Sequence, residues 1–291
     1  MVQNGLGTII SYEPQLRLGG LVLVLLVMAT CEVIAPRRSH SIGKTYRWIN
    51  NLGVVVLGSL LVRIVFPLSA VGVALYAEQQ GWGLFSIASM PRWTIILLSI
   101  VILDFVIWAQ HVMFHAVPIL WRLHRMHHAD LDFDVTTGLR FHPIEIFLSI
   151  GWKAGVVVLF GMPALAVLFF EIILNALAMF NHSNVRLPLG LDRVLRWFVV
   201  TPDMHRVHHS WHRDETNANF GFNLPWWDRL LGTYKPQPKD GHEKMVIGLH
   251  QFRDPRWLRI DRMMFQPLAG KESVGFMNKP REQTSHDEQI K

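Results

Sequence analysis

Cysteine is all but missing from this chain: Cys31 stands alone among 291 residues. A lone thiol excludes an internal disulfide, an all-cysteine zinc site and a protein-bound iron–sulfur cluster. Charge is scarce as well. Asp, Glu, Lys and Arg make up 17% of the residues, against about 25% in an average soluble domain. There is no GxGxxG nucleotide loop, no haem-binding extension, no internal repeat and no low-complexity segment. A chain of this kind is not disordered, collagen-like or a nucleic-acid tail. The formal charge of +6 does not mark a DNA-binding protein, because the basic residues flank apolar runs and form no basic helix. Anionic lipid headgroups are the expected counterpart, and nucleic acid is not.

Apolar residues are abundant: 51% of the chain, with 11 Trp and 17 Phe. Leu18 to Pro36 is broken only by Thr30 and Glu32, and about 20 apolar residues span a bilayer as a helix. Most basic residues follow this run, as Arg37 and Arg38 do. That reads as a membrane span and not as a signal peptide, which has a basic start and a small-residue cleavage site. Leu52 to Tyr76 reads as a second span, with Arg63 and Pro67 inside it. Arg63 is expensive in lipid and is expected to face protein or a water-filled cavity. A third stretch begins at Trp93 and runs past Trp108 into His111. Ile144 to Phe160 and Pro163 to Phe180 read as a helical hairpin broken at Gly161-Met-Pro163. Lys153 and Glu171 within it are expected to point inward or toward an interface.

The expected fold is therefore all-α: a polytopic membrane protein with four to five membrane helices and a cytoplasmic histidine-rich helical cap. Orientation follows from basic residues in short loops. The loop after the first span carries Arg37, Arg38, Lys44 and Arg47, whereas Ala77 to Pro91 carries no Lys or Arg. The first loop is expected in the cytoplasm, and so are the end of the third span and the residues from about His182 onward. The membrane is expected to be the inner, cytoplasmic one. Lys271 to Lys291 is polar and aperiodic and reads as a tail.

Histidine is the anomaly. There are 15, and eleven fall between His111 and His212. His111-Val-Met-Phe-His115 ends the third span, and residues at i and i+4 share a helix face, so both rings reach one metal. Asp104 and Trp108 lie on the same stripe, and a carboxylate one or two turns back can accept the second N–H of a ligand ring. His124-Arg-Met-His127-His128 follows, and its HxxHH spacing recurs 81 residues later as His205-Arg-Val-His208-His209. On a helix the i, i+3 and i+4 rings are expected to converge on one face. A lone HxxxH is more often structural, but two identical boxes beside it are not a chance pattern. His142 and His182 stand where membrane helices begin and end and are further candidate ligands. His212, one turn past His208, is another, whereas His40, His242, His250 and His286 read as ordinary surface residues.

Eight to ten imidazoles exceed what one ion takes, so the inventory implies two ions. Imidazole suits zinc, copper, iron and nickel, and a ligand count does not choose among them. Two redox-active irons would bind and reduce oxygen, and two zincs would polarise a water for hydrolysis.

The three boxes at the ends of membrane helices resemble the fatty acid hydroxylase superfamily, also called the sterol desaturase family. The resemblance covers roughly residues 40 to 235. It extends to Trp121-Arg-Leu-His124, Leu139-Arg-Phe-His-Pro-Ile-Glu145, Asn181-His-Ser-Asn184, Thr201-Pro202, Asn219-Phe-Gly221, Trp227-Asp228 and Gly232-Thr-Tyr234. Asp203 departs from the pattern, in which a basic or neutral residue precedes the third box; pairing with Arg206, or support of a ligand ring, would account for it. The resemblance implies a diiron, O2-dependent membrane oxidase that hydroxylates or desaturates a lipid such as a sterol or fatty acyl chain. His111, His115, His124, His127, His128, His205, His208 and His209 would hold the irons, with His142 and His182 as additional ligands. Zinc could replace iron in purified protein. The lipid would enter from the bilayer, past Phe147, Phe169 and Phe170 as candidate lining residues. Electrons would come from a separate donor or reductase. Residues 1–100 would form the N-terminal membrane helices, 101–235 the catalytic region and 236–291 a cytoplasmic extension and tail. The competing readings are an ether-lipid (alkylglycerol-type) monooxygenase within the superfamily, a dizinc membrane hydrolase, and a non-enzymatic metal transporter or metal-storage protein. A transporter would place its charged or imidazole groups across the membrane midplane, and these histidines gather at one interface.

Overall fold

A computed structural model describes residues 11–65 and 69–270. Within them the protein is helical, with isolated β-bridges and no strand. Five stretches are long and apolar enough to cross a membrane. They are Glu13–Ile34 (α1), Lys44–Val65 with Ala70–Gln80 (α2 and α3), Arg92–Ala116 (α4), Pro143–Phe160 (α6) and Ala164–Asn181 (α7). At 1.5 Å per residue, the 25 residues of α4 are about 37 Å long, enough to cross a ~30 Å hydrocarbon layer with an end to spare. Pro118–His128 (α5), Leu189–Leu195 (α8), Pro202–His208 (α9), Trp226–Leu230 (α10) and Ile260–Phe265 (α11) are shorter and build a cap on one end of the bundle.

The second span differs from its sequence reading. α2 begins inside the cap, where Arg47 and Asn51 are buried among polar groups, and reaches the first turn of α6 only at Gly58, beside Pro143. α3 completes the crossing, started by Ser69, whose hydroxyl accepts from Gly72 N at 3.1 Å. Pro67 lies outside the described residues. Arg63 is exposed and does not face protein. The physical reason is direction: helical side chains tilt toward the N-terminus, which for α2 is the cap, so a long arginine can reach back toward the headgroups.

The hairpin of α6 and α7 turns at Gly161, which has φ +65°, and Gly83 packs against it so closely that a Cβ there would lie 2.0 Å from Gly161 N. The bundle core is apolar, with Ala70, Ala74, Leu103, Val157, Leu168 and Phe170 meeting between α3, α4, α6 and α7. Lys153 and Glu171 point inward as expected and pair at 2.9 Å, and Arg17 of α1 adds a second bond to Glu171 at 3.1 Å. The cap end is tied to the spans by charge. Glu32 accepts from Val135 N at 2.7 Å and Asn184 N at 2.9 Å. Arg47 is fully buried, with two 2.8 Å bonds to Asp130 and a further bond to Asp134, while Arg140 lies 3.3 Å from Asp130. Removing one partner from such a network costs about 3–5 kcal/mol, because the remaining charges stay buried.

Candidate metal centre

Nine imidazoles gather where α4, α5, α7 and α9 end. They form two groups, each with ligand atoms within 4.8 Å of one another: His111, His115, His124, His128 and His208, and beside them His127, His182, His205 and His209. Each of the nine is no more than 3% exposed. The HxxHH boxes do not each serve one group, as their spacing had suggested. In both, the i and i+4 members stay together and the i+3 member joins the other group. His124 and His128 join the first group and His127 the second; His205 and His209 join the second and His208 the first. On a helix, i+3 and i+4 lie about 100° apart, so one short turn can face two neighbouring centres.

The inner edges are what a cation requires. His111 Nδ1 stands 2.7 Å from Phe220 O, and His208 Nδ1 2.7 Å from Ala218 O. A carbonyl only accepts, so both Nδ1 atoms carry the proton and both Nε2 atoms present lone pairs. Yet those Nε2 atoms are 3.1 Å apart, and His111 Nε2 is 3.0 Å from His124 Nε2. Lone pairs at that distance repel unless a cation lies between them. Two nitrogens bound side by side to one ion at roughly 2.1 Å stand about 3 Å apart. The second group repeats the pattern around His182, whose Nδ1 faces Ala178 O at 2.7 Å and whose Nε2 is 3.1 to 3.2 Å from those of His127, His205 and His209. His115 spends Nδ1 on Asn217 Oδ1 and leaves a buried Nε2 without a protein partner. The donor set fits two borderline-soft metal ions. Burial, aided by neighbouring rings, holds His127, His128, His205, His208 and His209 well below the ordinary imidazole value of 6.5, and burial pushes His124 and His182 down to about 3. Neutral rings are the form that binds metal.

The supporting shell departs from the sequence reading at Asp104. Its carboxylate does not touch an imidazole; Oδ2 accepts from Trp227 Nε1 at 2.8 Å. The expected role falls to Glu145, whose Oε1 is 2.6 Å from His124 Nδ1, and to one short segment, 217–221. Asn217, Ala218 and Phe220 accept from three of the five rings of the first group. Asp228 holds that segment in place by accepting from Phe220 N at 2.9 Å and Gly221 N at 2.8 Å. The boxes draw attention to rings; the backbone acceptor of Ala218 carries no sequence signal, and Asn217, which accepts through its side chain, stands outside the motifs, so neither was legible. Asp203 pairs with Arg206, as anticipated, and also with Arg37 at 3.2 Å.

Other expectations change. His142 is not in either group. Its Nδ1 caps α6 by accepting from Ile144 N at 3.2 Å, and its Nε2 faces Met264 O at 3.3 Å. His212 is also apart, 2.8 Å from Asp240. His242 is buried and bonds Gln237 at 3.0 Å, and His40 is half-buried against Asn184 at 3.1 Å; neither is an ordinary surface residue. His250 is exposed, and His286 lies outside the described residues. Phe170 is in the core, Phe147 is half-buried, and Phe169 is 41% exposed on the outer face of α7.

A helical bundle with membrane-length spans and two imidazole-only groups able to hold metal at one end defines the class of this protein. Residues 96–233 match the fatty acid hydroxylase family. It is 31% identical over 195 residues to ornithine lipid hydroxylase OlsE of Rhizobium tropici, a match covering 67% of this chain and 56% of that protein. It is 31% identical over 174 residues to alkylglycerol monooxygenase of Xenopus tropicalis, covering 58% and 36%, and 28% identical over 144 residues to cholesterol 25-hydroxylase of Homo sapiens, covering 48% and 51%. The chain thus spans about a third to a little over half the length of these relatives. No solved structure matches it.

Proposed function

We propose that this protein is a membrane-bound, O2-dependent diiron oxidase that hydroxylates or desaturates a lipid. The observation that carries the proposal is the pair of buried imidazole groups, five rings and four, with lone pairs converging at 3.0 to 3.2 Å. His111, His115, His124, His128 and His208 would hold one iron and His127, His182, His205 and His209 the other. When bound, such a pair supplies the oxidant for an unactivated C–H bond, which side chains cannot provide. The protein's own residues do the rest. Glu145 and the carbonyls of Ala178, Ala218 and Phe220 each hold one ring by its Nδ1, fixing His124, His182, His208 and His111 with Nε2 inward. Phe133, Phe141, Phe220 and Phe222 pack against the rings and exclude water.

The substrate in this reading is a long apolar lipid that approaches from the bilayer. A hydrocarbon chain entering between spans exchanges lipid contacts for protein contacts at little desolvation cost, whereas a polar solute would lose its hydration. The relatives named as lipid hydroxylases and monooxygenases favour the same substrate class. Electrons would come from a separate donor in the cytoplasm. Residues 1–100, 101–235 and 236–291 would act as membrane anchor, catalytic region and extension. Arg37 and Arg38 are bonded to Asp203 and Met245 O, so the loop after α1 shares a side with the histidines, and the basic bias of that loop supports a cytoplasmic location in this reading.

The test is lipidomics of cells with and without the protein under oxygen, with His127→Ala and His208→Ala as controls. An oxidised lipid, heavier by one oxygen or lighter by two hydrogens, should appear only with the intact protein. Unchanged lipids alongside a water-soluble product would reject the reading.

A further inference from the structure

The cap carries a second apolar surface that the metal chemistry does not use. The segment that follows α8 is joined to α10 by Trp226 Nε1 donating to Trp197 O at 2.7 Å and by the Arg229 guanidinium 4.3 Å from the Trp197 ring. The two helices and the residues that follow them expose Leu189 at 77%, Trp197 at 58%, Phe198 at 60%, Trp226 at 41%, Leu230 at 74% and Leu231 at 55%. Soluble surfaces scatter single apolar residues; six large ones exposed on two bonded segments mark an interface.

Its position says with what. Trp227 of α10 is anchored to the middle of a membrane span: its Nε1 donates to Asp104 at 2.8 Å, and its ring meets Phe105 at 5.0 Å between centroids. Trp108 of the same span donates to Asp228 at 3.0 Å. Asp104 precedes His111 by seven residues, so it stands about 10 Å farther into the bilayer along α4. α10 is therefore pinned below the imidazole groups, at a depth where α4 itself turns Phe105 outward, 41% exposed. The patch continues the lipid-facing belt of the spans. Its composition is that of a membrane interface, with aromatic rings and leucines rimmed by exposed arginines, Arg186 and Arg193.

We propose that α8 and α10 form a platform lying in the plane of the membrane, with Leu189, Trp197, Phe198, Leu230 and Leu231 among the acyl chains of the leaflet on the cap side and Arg186 and Arg193 against anionic headgroups. The platform rests on the membrane reading of the spans and is independent of the metal chemistry. It makes the cap a part of the bilayer surface and holds the imidazole groups at a set depth beside α4.

Spin labelling tests this on the full chain. In a Cys31→Ser background, nitroxides are placed at Leu230→Cys and Leu189→Cys, with Leu97→Cys on α4 as the lipid reference and Lys244→Cys as the water reference. The protein is reconstituted in phosphatidylcholine vesicles containing phosphatidylglycerol, and collision rates with O2 and a water-soluble nickel chelate are compared. Labels in the platform should show an O2-to-nickel collision ratio at least about fivefold above Lys244→Cys and close to Leu97→Cys. A ratio equal to that at Lys244→Cys would place the patch in water and overturn the proposal. Suppressed collisions with both reagents, with dipolar broadening between labels, would assign the patch to a second copy of the chain and overturn it equally. A failed Leu97→Cys reference would instead strike at the membrane reading itself. Leu230 and Leu189 are exposed, so their substitution leaves packing intact and both outcomes readable.

Discussion

Asp228→Asn is the sharpest probe of how the metal centre is held. The carboxylate accepts four bonds: Oδ1 from Trp108 Nε1 at 3.0 Å, Phe220 N at 2.9 Å and Thr233 Oγ1 at 2.7 Å, and Oδ2 from Gly221 N at 2.8 Å. An asparagine in its best orientation keeps Oδ1 and turns an NH2 toward Gly221 N. That leaves one buried N–H without an acceptor, at about 1–3 kcal/mol. It also turns three charge-assisted bonds into neutral ones, each roughly half as strong, for about 1–2 kcal/mol more in all. The sum is about 2–5 kcal/mol, a large share of a typical 5–15 kcal/mol of stability. The midpoint of thermal unfolding should fall by about 10 °C, at roughly 2–4 °C per kcal/mol. The consequence for the site is specific. Segment 217–221 carries the acceptors for His111, His115 and His208, so slack there releases three rings of the first group and none of the second. Elemental analysis of detergent-purified protein should show metal lost from one centre ahead of the other. Thr233→Val removes a single donor that water can replace and should cost about 1 kcal/mol. An Asp228→Asn protein that melts within about 2 °C of wild type and keeps two ions per chain would refute the reasoning.

Gently purified protein from iron-replete cells should carry two metal ions per chain; His208→Ala should deplete the five-ring group, His127→Ala the four-ring group, and either should abolish turnover. His142→Ala should keep both ions and lose only a helix cap, about 1 kcal/mol, as metal content and melting together would show. The metal-free protein should lose stability in acid. Burial keeps His124, His127, His128, His182, His205, His208 and His209 below 6.5 in the fold, so the unfolded chain binds more protons as pH drops through that value. Stability present above about pH 6.5 is then lost below it, and an unfolding midpoint that stays flat between about pH 7.5 and pH 5.5 would contradict this. Reporter fusions near Arg37 and after Lys291 should both report the cytoplasm, and opposite sides would break the proposed topology.

Much of the molecule was legible from residue order. Apolar runs of membrane length announce helices because the bilayer leaves the backbone no other partners. The five spans, the Gly161 turn and the inward Lys153–Glu171 pair all follow from that rule. The repeated HxxHH spacing announced a two-ion inventory because neutral imidazoles at helical intervals have few other reasons to cluster. By itself the sequence determined the elements and the ligand types. Which ring serves which centre was decided only by tertiary structure, since it depends on how α5 and α9 are rotated against one another, and helical spacing leaves i+3 and i+4 on different sides of a narrow seam. The same holds for the supports. His142 has the look of a ligand and is a helix cap, Asp104 has the look of a ring's partner and holds Trp227, and the rings of the first group rest on the carbonyls of Ala218 and Phe220. A backbone carbonyl belongs to every residue, so only the fold, by bringing 217–221 against α4 and α9, could give these few their function.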